Sequence, residues 1–292
     1  MERQWLKVKN FAVIILRGIS QVFLLNNVIT GILFLAGAFY NSWLLGIVTI
    51  VGTLIGTITA LLLKYDKDDI SHGLYGYNSA LACLAIIYFF ELNIISAIAA
   101  FLGAILTTIV RKGMSILKIP PYTAPFVIST WIVMAIILKL HFIQLKTFQL
   151  PNINNIDIIH AISTGVGQVM FQENFIAGIV IFIGILVCSR ITALYAVLGS
   201  SLGVVISLVS SLPLNMINIG LFGFNGVLCG IALSGKNLQY LLLAAASIVI
   251  SVFITYGMMN LGVITLTSPF VISTYMILSV KNVVKQKTRG TP

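Results

Sequence analysis

Charge is what this chain has least of. Of its 292 residues only 8% are Asp, Glu, Lys or Arg, against 59% that are apolar, and the mean hydropathy is +1.08. A soluble domain carries roughly 25% charged residues, so too few are present here to coat a water-facing surface, and soluble enzymes are excluded. Acidic residues are scarcest, with 7 Asp and Glu against 17 Lys and Arg. The basic residues are scattered or terminal and form no patch interleaved with aromatics, which excludes nucleic acid as a partner. In so apolar a chain the cation excess reads as topology, because Lys and Arg collect on cytoplasmic loops. Cysteine is sparse too. Cys83, Cys188 and Cys229 lie in apolar runs without CxxC or Cys/His spacing; they read as small buried hydrophobes, and neither metal nor cofactor is expected. The short basic N-terminus lacks a small-residue cleavage site, so no signal peptide is expected. What is left is an all-α polytopic membrane protein.

No charge occurs between Arg17 and Lys64, between Arg190 and Lys236, or between Lys236 and Lys281. At about 1.5 Å per residue, each stretch can cross a hydrocarbon core of about 30 Å twice. Interruptions by Gly, Asn and Pro suggest about ten transmembrane helices. Two further apolar pieces, near 76–89 and 223–234, open on Gly and Asn. They are expected to be re-entrant half-helices, which need protein or a water-filled cavity around them. Arg3, Lys7 and Lys9 at one end, and Lys281, Lys285, Lys287 and Arg289 at the other, predict both termini in the cytoplasm and an even number of spans. With the spans shared equally between halves, Arg111, Lys112, Lys118 and Lys236 fall inside. Lys64, Lys67, Lys139, Lys146 and Arg190 then fall outside, the first two in the loop KYDKDD at 64–69.

The chain also repeats itself. RGISQVFLLNNVITG (17–31) aligns with TGVGQVMFQENFIAG (164–178), and GLYGYNSAL (73–81) with GLFGFNGVL (220–228), both at an offset of 147. TAPFVISTW (123–131) aligns with TSPFVISTY (267–275) at an offset of 144, with seven of nine residues identical. Apolar bias alone does not align Gln, Asn, Pro and Thr in one order. The expected domains are a first repeat at 1–140, an extracellular linker at 141–160, and a second repeat at 161–292 that ends in the basic cytoplasmic tail. An odd number of spans per repeat makes the repeats inverted, and inverted repeats carry a solute path at their interface, bordered by discontinuous helices.

The duplicated polar residues are neutral: Gln21 and Gln168, Asn78 and Asn225, Thr123 and Thr267, Thr130 and Thr274. Such a set suits a small, uncharged, hydrogen-bonding solute, although the same residues glue helices together. Pro125 and Pro269 are expected to strip carbonyls about four residues earlier of their partners. Thr130 and Thr274 follow within the span; they can offer oxygens near the midplane or bond back to their own helix. Gly76 and Gly223 let the chain turn into a half-helix. On it Tyr77 and Leu81, and likewise Phe224 and Leu228, share a face at i, i+4, as walls of a flat slot or as ordinary packing. Gln21 and Gln168 are expected near opposite mouths. Glu173 is the one carboxylate in the repeated blocks, either a second acceptor at the cytoplasmic mouth or an interface charge. Arg17 snorkels or caps locally.

GLYGYNSAL and GLFGFNGVL, the paired PFVIST blocks and the QV…N segments resemble the bacterial branch of the urea transporter family, over about residues 10–280. The resemblance implies ten spans with two tilted re-entrant helices, a homotrimer with one pore per subunit, and passive urea conduction across the cytoplasmic membrane. It implies a pore with two outer sites and a middle constriction. Tyr77 and Leu81 would form one slot, Phe224 and Leu228 the other, and Thr130 and Thr274 would line the constriction. Gln21 would serve the outer site, and Gln168 or Glu173 the inner one. Two positions depart from the pattern: Tyr77 stands where Phe is usual, and Leu24 where an aromatic is common, with Phe171 filling the related place in the second half. A cytosolic urease is the functional partner the resemblance implies. The alternative is an ion-coupled carrier for a small neutral amide, with Glu173 or His72 as proton site. No nucleophile–base–acid set is present, so the chain is not expected to be an enzyme.

Overall fold

The computed structural model describes the backbone of residues 2–148, 153 and 155–289, and the side chains of 10–148, 153 and 155–281. Residues 149–152 and 154 of the expected linker lie outside the described residues, as do the side chains of Arg3, Lys7, Lys9, Lys285, Lys287 and Arg289. Among the described residues the regular structure is helical, apart from one bridge between Phe90 and Leu145. The first run of helices comprises α1 (Glu2–Ser20), α2 (Val28–Asn41), α3 (Trp43–Leu62), α4 (Lys67–Ser71), α5 (Gly76–Phe89), α6 (Ile94–Ile116) and α7 (Ala124–Lys139). The same succession follows as α8 (Ile158–Gly167), α9 (Phe175–Cys188), α10 (Arg190–Val209), α11 (Leu214–Asn218), α12 (Phe224–Ala232), α13 (Leu238–Asn260) and α14 (Ser268–Arg289).

The backbone repeats even where the residues do not. Left-handed φ angles recur at Leu24 and Phe171 (58° and 60°), Lys64 and Ser211 (54° and 53°), Gly73 and Gly220 (72° and 82°), Lys118 and Gly262 (57° and 70°), and Tyr122 and Leu266 (41° and 47°). Side chains other than glycine rarely adopt this conformation, so its return at the same register marks turns that both halves require.

Four helices, α3, α6, α10 and α13, are long and apolar enough to cross a membrane. The count rises to six if each of two sharply bent pairs is one span: Asn10–Phe23 with Val28–Asn41 at 74°, and Ile158–Met170 with Phe175–Cys188 at 73°. The molecule is thus an all-α, multi-pass membrane protein. The sharp breaks fall at 24–27 and 171–174, whereas the segments near 76–89 and 223–234 are the short helices α5 and α12, buried along nearly their whole length. A break was not expected at 24–27 because no charge or proline marks it; it is made by an asparagine that starts a new helix.

Two compact units are present, Met1–Leu150 with Met170–Cys188, and Pro151–Val169 with Ser189–Pro292. In the first, α5 runs antiparallel to both α3 and α6. Built Cβ atoms on Gly52 and Gly56 of α3 would collide with Ala80 and with the Tyr75 carbonyl and Ser79 hydroxyl. On the other side Ser79 Oγ donates to the Ala104 carbonyl of α6 at 2.8 Å. Close contact through small residues is how apolar helices associate without a hydrophobic driving force. Helix α9 packs on α2 in the same way, with Thr30 Oγ1 donating to the Gly184 carbonyl at 2.8 Å.

This arrangement corrects one expectation about loops. Because α5 turns the chain back between α3 and α6, the loop at 64–69 and the end of α6 lie together and not on opposite faces. Arg111 Nη2 is 3.6 Å from Asp69 Oδ2, and Lys112 Nζ lies 5.4 Å from the Tyr65 ring centroid. Ile14 of α1 packs into the same cluster, with Ala60, Tyr65, Ile70 and Tyr75. At the opposite end of α5, the Lys146 backbone N–H donates to the Phe89 carbonyl at 2.8 Å and its Nζ to the Ile87 carbonyl at 3.1 Å. In the second unit Ile191, Tyr195, Leu233, Tyr240 and Ile277 cluster, and Lys281 Nζ sits 4.9 Å from the Tyr240 ring centroid.

Candidate functional site

The bend after α1 turns about one serine. Ser20 Oγ lies 2.8 Å from the carbonyls of Arg17 and Leu25 and accepts the Asn27 N–H at 3.1 Å. Leu24 takes the left-handed turn, and Asn27 Oδ1 accepts the Thr30 N–H at 3.0 Å to open α2. Gln21 therefore lies in a short 3-10 turn at a helix break and not within a continuous span. It is buried, and its Nε2 donates to the His72 carbonyl at 3.1 Å. Arg17 Nη1 donates to the adjacent Ser71 carbonyl at 3.1 Å, so it caps the end of α4, 54 residues along the chain, and not its own helix. Gln168 occupies the matching turn of the second unit and is likewise buried.

Helices α5 and α12 carry the expected walls. Tyr77 and Leu81, and Phe224 and Leu228, are all buried. The Tyr77 hydroxyl is not loose: it donates to the Tyr122 carbonyl in the left-handed turn before α7. Burial raises the pKa of the Tyr122 phenol itself above its ordinary value, which keeps it protonated.

At the start of α7 and α14 the structure revises the reading of two residue pairs. Pro125 and Pro269 lie in the first helical turn, where a missing N–H is no loss; they strip no mid-span carbonyl. The adjoining Phe126 and Phe270 N–H groups are accepted by Asn78 Oδ1 at 3.1 Å and Asn225 Oδ1 at 3.2 Å. Asn78 Nδ2 also reaches the Tyr122 carbonyl at 3.3 Å, and Asn225 Nδ2 the Thr255 hydroxyl at 3.4 Å. The asparagines brace helix starts and are not free oxygens for a solute. Their duplication beside a duplicated Pro-Phe was the sequence signal for this brace.

One turn further on, Thr130 and Thr274 are completely buried, and neither hydroxyl has a hydrogen-bond partner among the described residues. They are not bonded back to their own helices. A buried polar group without a partner costs about 1–3 kcal/mol, and the fold carries that cost at the same register in both halves. Ser129 Oγ is unpartnered too, whereas its counterpart Ser273 meets Cys229 Sγ and Ser247 Oγ, both at 3.2 Å.

Phe171 and Glu173 belong to the first unit, at the carbonyl end of α5, while Gln168, Phe224, Leu228 and Thr274 belong to the second. The Tyr88 hydroxyl donates to Glu173 Oε1. The Phe171 ring lies 5.1 Å from Tyr88, 6.1 Å from Phe89 and 6.4 Å from Phe126, and Phe148 stacks on Tyr88 at 5.0 Å. Nothing in the sequence pattern points to Tyr88, Phe89 or Phe148, which lie outside the repeated blocks. Among the described residues no group of three or more His, Cys, Asp and Glu is placed to hold a metal ion. Chemically, each unit offers buried aromatic and aliphatic faces and uncharged oxygens.

Comparison with known proteins agrees with that chemistry. The family model described as "Urea transporter" matches residues 12–282. Urea transporter 1 of Ovis aries is 30% identical over 311 aligned positions, covering 95% of this chain and 80% of the relative. Urea transporter 1 of Rattus norvegicus is 32% identical over 256 positions, covering 79% of this chain and 66% of the relative.

Proposed function

The chain belongs to the urea transporter family, whose members are transport proteins and not enzymes, and from that premise we propose that it is a passive channel for urea, conducting it down its gradient across the cytoplasmic membrane. The observation that carries this reading is the pair of buried hydroxyls, Thr130 and Thr274, left without partners at matching positions. Urea is planar and neutral, with N–H donors along its edges. Unpartnered hydroxyl oxygens replace water on those edges, while Tyr77, Leu81, Phe224 and Leu228 supply apolar walls for its faces. Gln21, Gln168 and Glu173 serve the mouths, with Leu24 and Phe171 beside them at the helix breaks. A monovalent cation would lose its hydration here without a compensating ring of carboxylates.

Ten spans in two inverted repeats fit this reading if each bent pair is one broken span, if α7 and α14 cross, and if α5 and α12, too short to span by themselves, complete a crossing with the turns that flank them. The positive-inside pattern supports that count. With Lys64 and Lys67 at the same end as Arg111, Lys112 and Lys118, and with Arg190, Lys236 and Lys281 at one end of the second unit, only Lys139 and Lys146 remain outside. Both termini are then cytoplasmic. A homotrimer, a place in the bacterial branch of the family and supply of a cytosolic urease complete the proposal.

Labelled-urea uptake into proteoliposomes tests it. Uptake that equilibrates without exceeding the external concentration, and is indifferent to proton and sodium gradients and to an uncoupler, is expected. Accumulation that collapses with the uncoupler would replace the channel with a coupled carrier.

A further inference from the structure

The two halves differ in charge at two matched places. Arg17 corresponds to Thr164, and the two do the same job: Arg17 Nη1 donates to the Ser71 carbonyl at 3.1 Å, and Thr164 Oγ1 lies 3.0 Å from the carbonyl of Asn218, the counterpart of Ser71. Arg111 corresponds to Thr255, since α6 and α13 have equal length and keep the offset of 144. Thr255 touches the brace residue Asn225; in the first half this position carries a guanidinium. The scaffold therefore needs only a small hydroxyl at both places, and the first half puts arginine in each.

Arg111 is not a loop charge. It is 5% exposed, its Nε has no hydrogen-bond partner among the described residues, and its guanidinium lies over the Tyr75 ring at 5.0 Å, next to the start of α5. Its carboxylate partner Asp69 is long at 3.6 Å and more open, with a side chain 30% exposed against 6% for Arg111. The positive member of the pair is thus turned inward and the negative member toward solvent. Arg17 meets a neutral carbonyl, four residues before Gln21 on the same strand of chain.

Resting on the urea path proposed above, we infer that Arg17 and Arg111 form a cation-excluding collar at the mouth beside Gln21 and Tyr77, so that this half discriminates urea from cations of the same shape. A fixed positive charge in a pore wall is an established physical means of excluding cations. Within roughly 10 Å, at an effective dielectric of ~20, one such charge changes a monovalent cation's occupancy by about tenfold or more. The threonines of the second half leave the corresponding place neutral.

Guanidinium is the probe, because it is planar and edged with N–H groups like urea but carries a charge. In proteoliposomes the unmodified protein is expected to conduct urea and exclude guanidinium. The R17T/R111T double variant copies the second half and is expected to keep urea flux while its guanidinium-to-urea permeability ratio rises about tenfold or more. R111K, which keeps the charge and changes the shape, is expected to exclude guanidinium still. An unchanged ratio in a double variant that conducts urea overturns the inference alone, as does a leak through R111K equal to that of the double variant. If the double variant does not assemble, R17T by itself must raise the ratio severalfold, and no rise overturns the inference. Absence of urea flux in the unmodified protein overturns the urea path itself and this inference with it.

Discussion

Asn78 holds the N–H of Phe126 at 3.1 Å, tying the start of α5 to the start of α7 from a position 48 residues away in the chain. The same bond joins Asn225 to Phe270. Each asparagine fills two needs with one amide, the first free N–H after a proline and the carbonyl of a left-handed turn.

Removing the amide of Asn78 strands the Phe126 N–H alone, because Tyr77 still donates to the Tyr122 carbonyl, whereas removing that of Asn225 takes a partner from both the Phe270 N–H and the Leu266 carbonyl. At roughly 1–3 kcal/mol per stranded group, Asn78→Ala is expected to cost about 1–3 kcal/mol and Asn225→Ala about 2–6 kcal/mol. Thermal unfolding in detergent measures the loss; a transition unmoved by either change contradicts the brace.

The threonines predict the opposite pattern. Thr130→Val and Thr274→Val remove hydroxyls that have no hydrogen-bond partner among the described residues, so thermal stability is expected to hold or rise slightly. Urea flux is expected to fall about tenfold or more, the effect of losing one well-placed hydrogen bond to the passing solute. Loss of stability together with retained flux would show that the hydroxyls serve packing.

Two glycines separate helix contact from helix propensity. A Cβ on Gly56 would meet the Tyr75 carbonyl and Ser79 hydroxyl, whereas one on Gly113 would meet nothing within 4 Å. Gly56→Ala is expected to destabilise by about 1–3 kcal/mol through overpacking, and Gly113→Ala to stabilise by a few tenths to about 1 kcal/mol. Parallel melting curves decide between them.

Topology can be read by thiol labelling in a background without the native cysteines. Lys67→Cys and Leu117→Cys are expected to react with a membrane-impermeant reagent from the same side, and Gln144→Cys from the other. Labelling of positions 67 and 117 from opposite sides contradicts the joining of those two loops.

Much of this was legible in the residues. Membrane embedding follows from the scarcity of charge, and the duplicated blocks mark the segments that carry the buried threonines and asparagines. What hydropathy could not reveal depends on the third dimension. An apolar run such as 18–41 reads as continuous because Ser20 and Asn27 satisfy the backbone at its break without a charge or proline. Arg111 reads as a loop cation because its ion pair is with a residue far away in the chain. Asn78 reads as an oxygen for solute, since nothing local shows that Phe126 claims it.

The most direct measurement of the central claim is stopped-flow light scattering of proteoliposomes challenged with a urea gradient, with and without ion gradients. The account predicts urea equilibration far faster than in empty liposomes and unchanged by proton or sodium gradients. Equilibration no faster than in empty liposomes, with the protein folded and inserted, would contradict it.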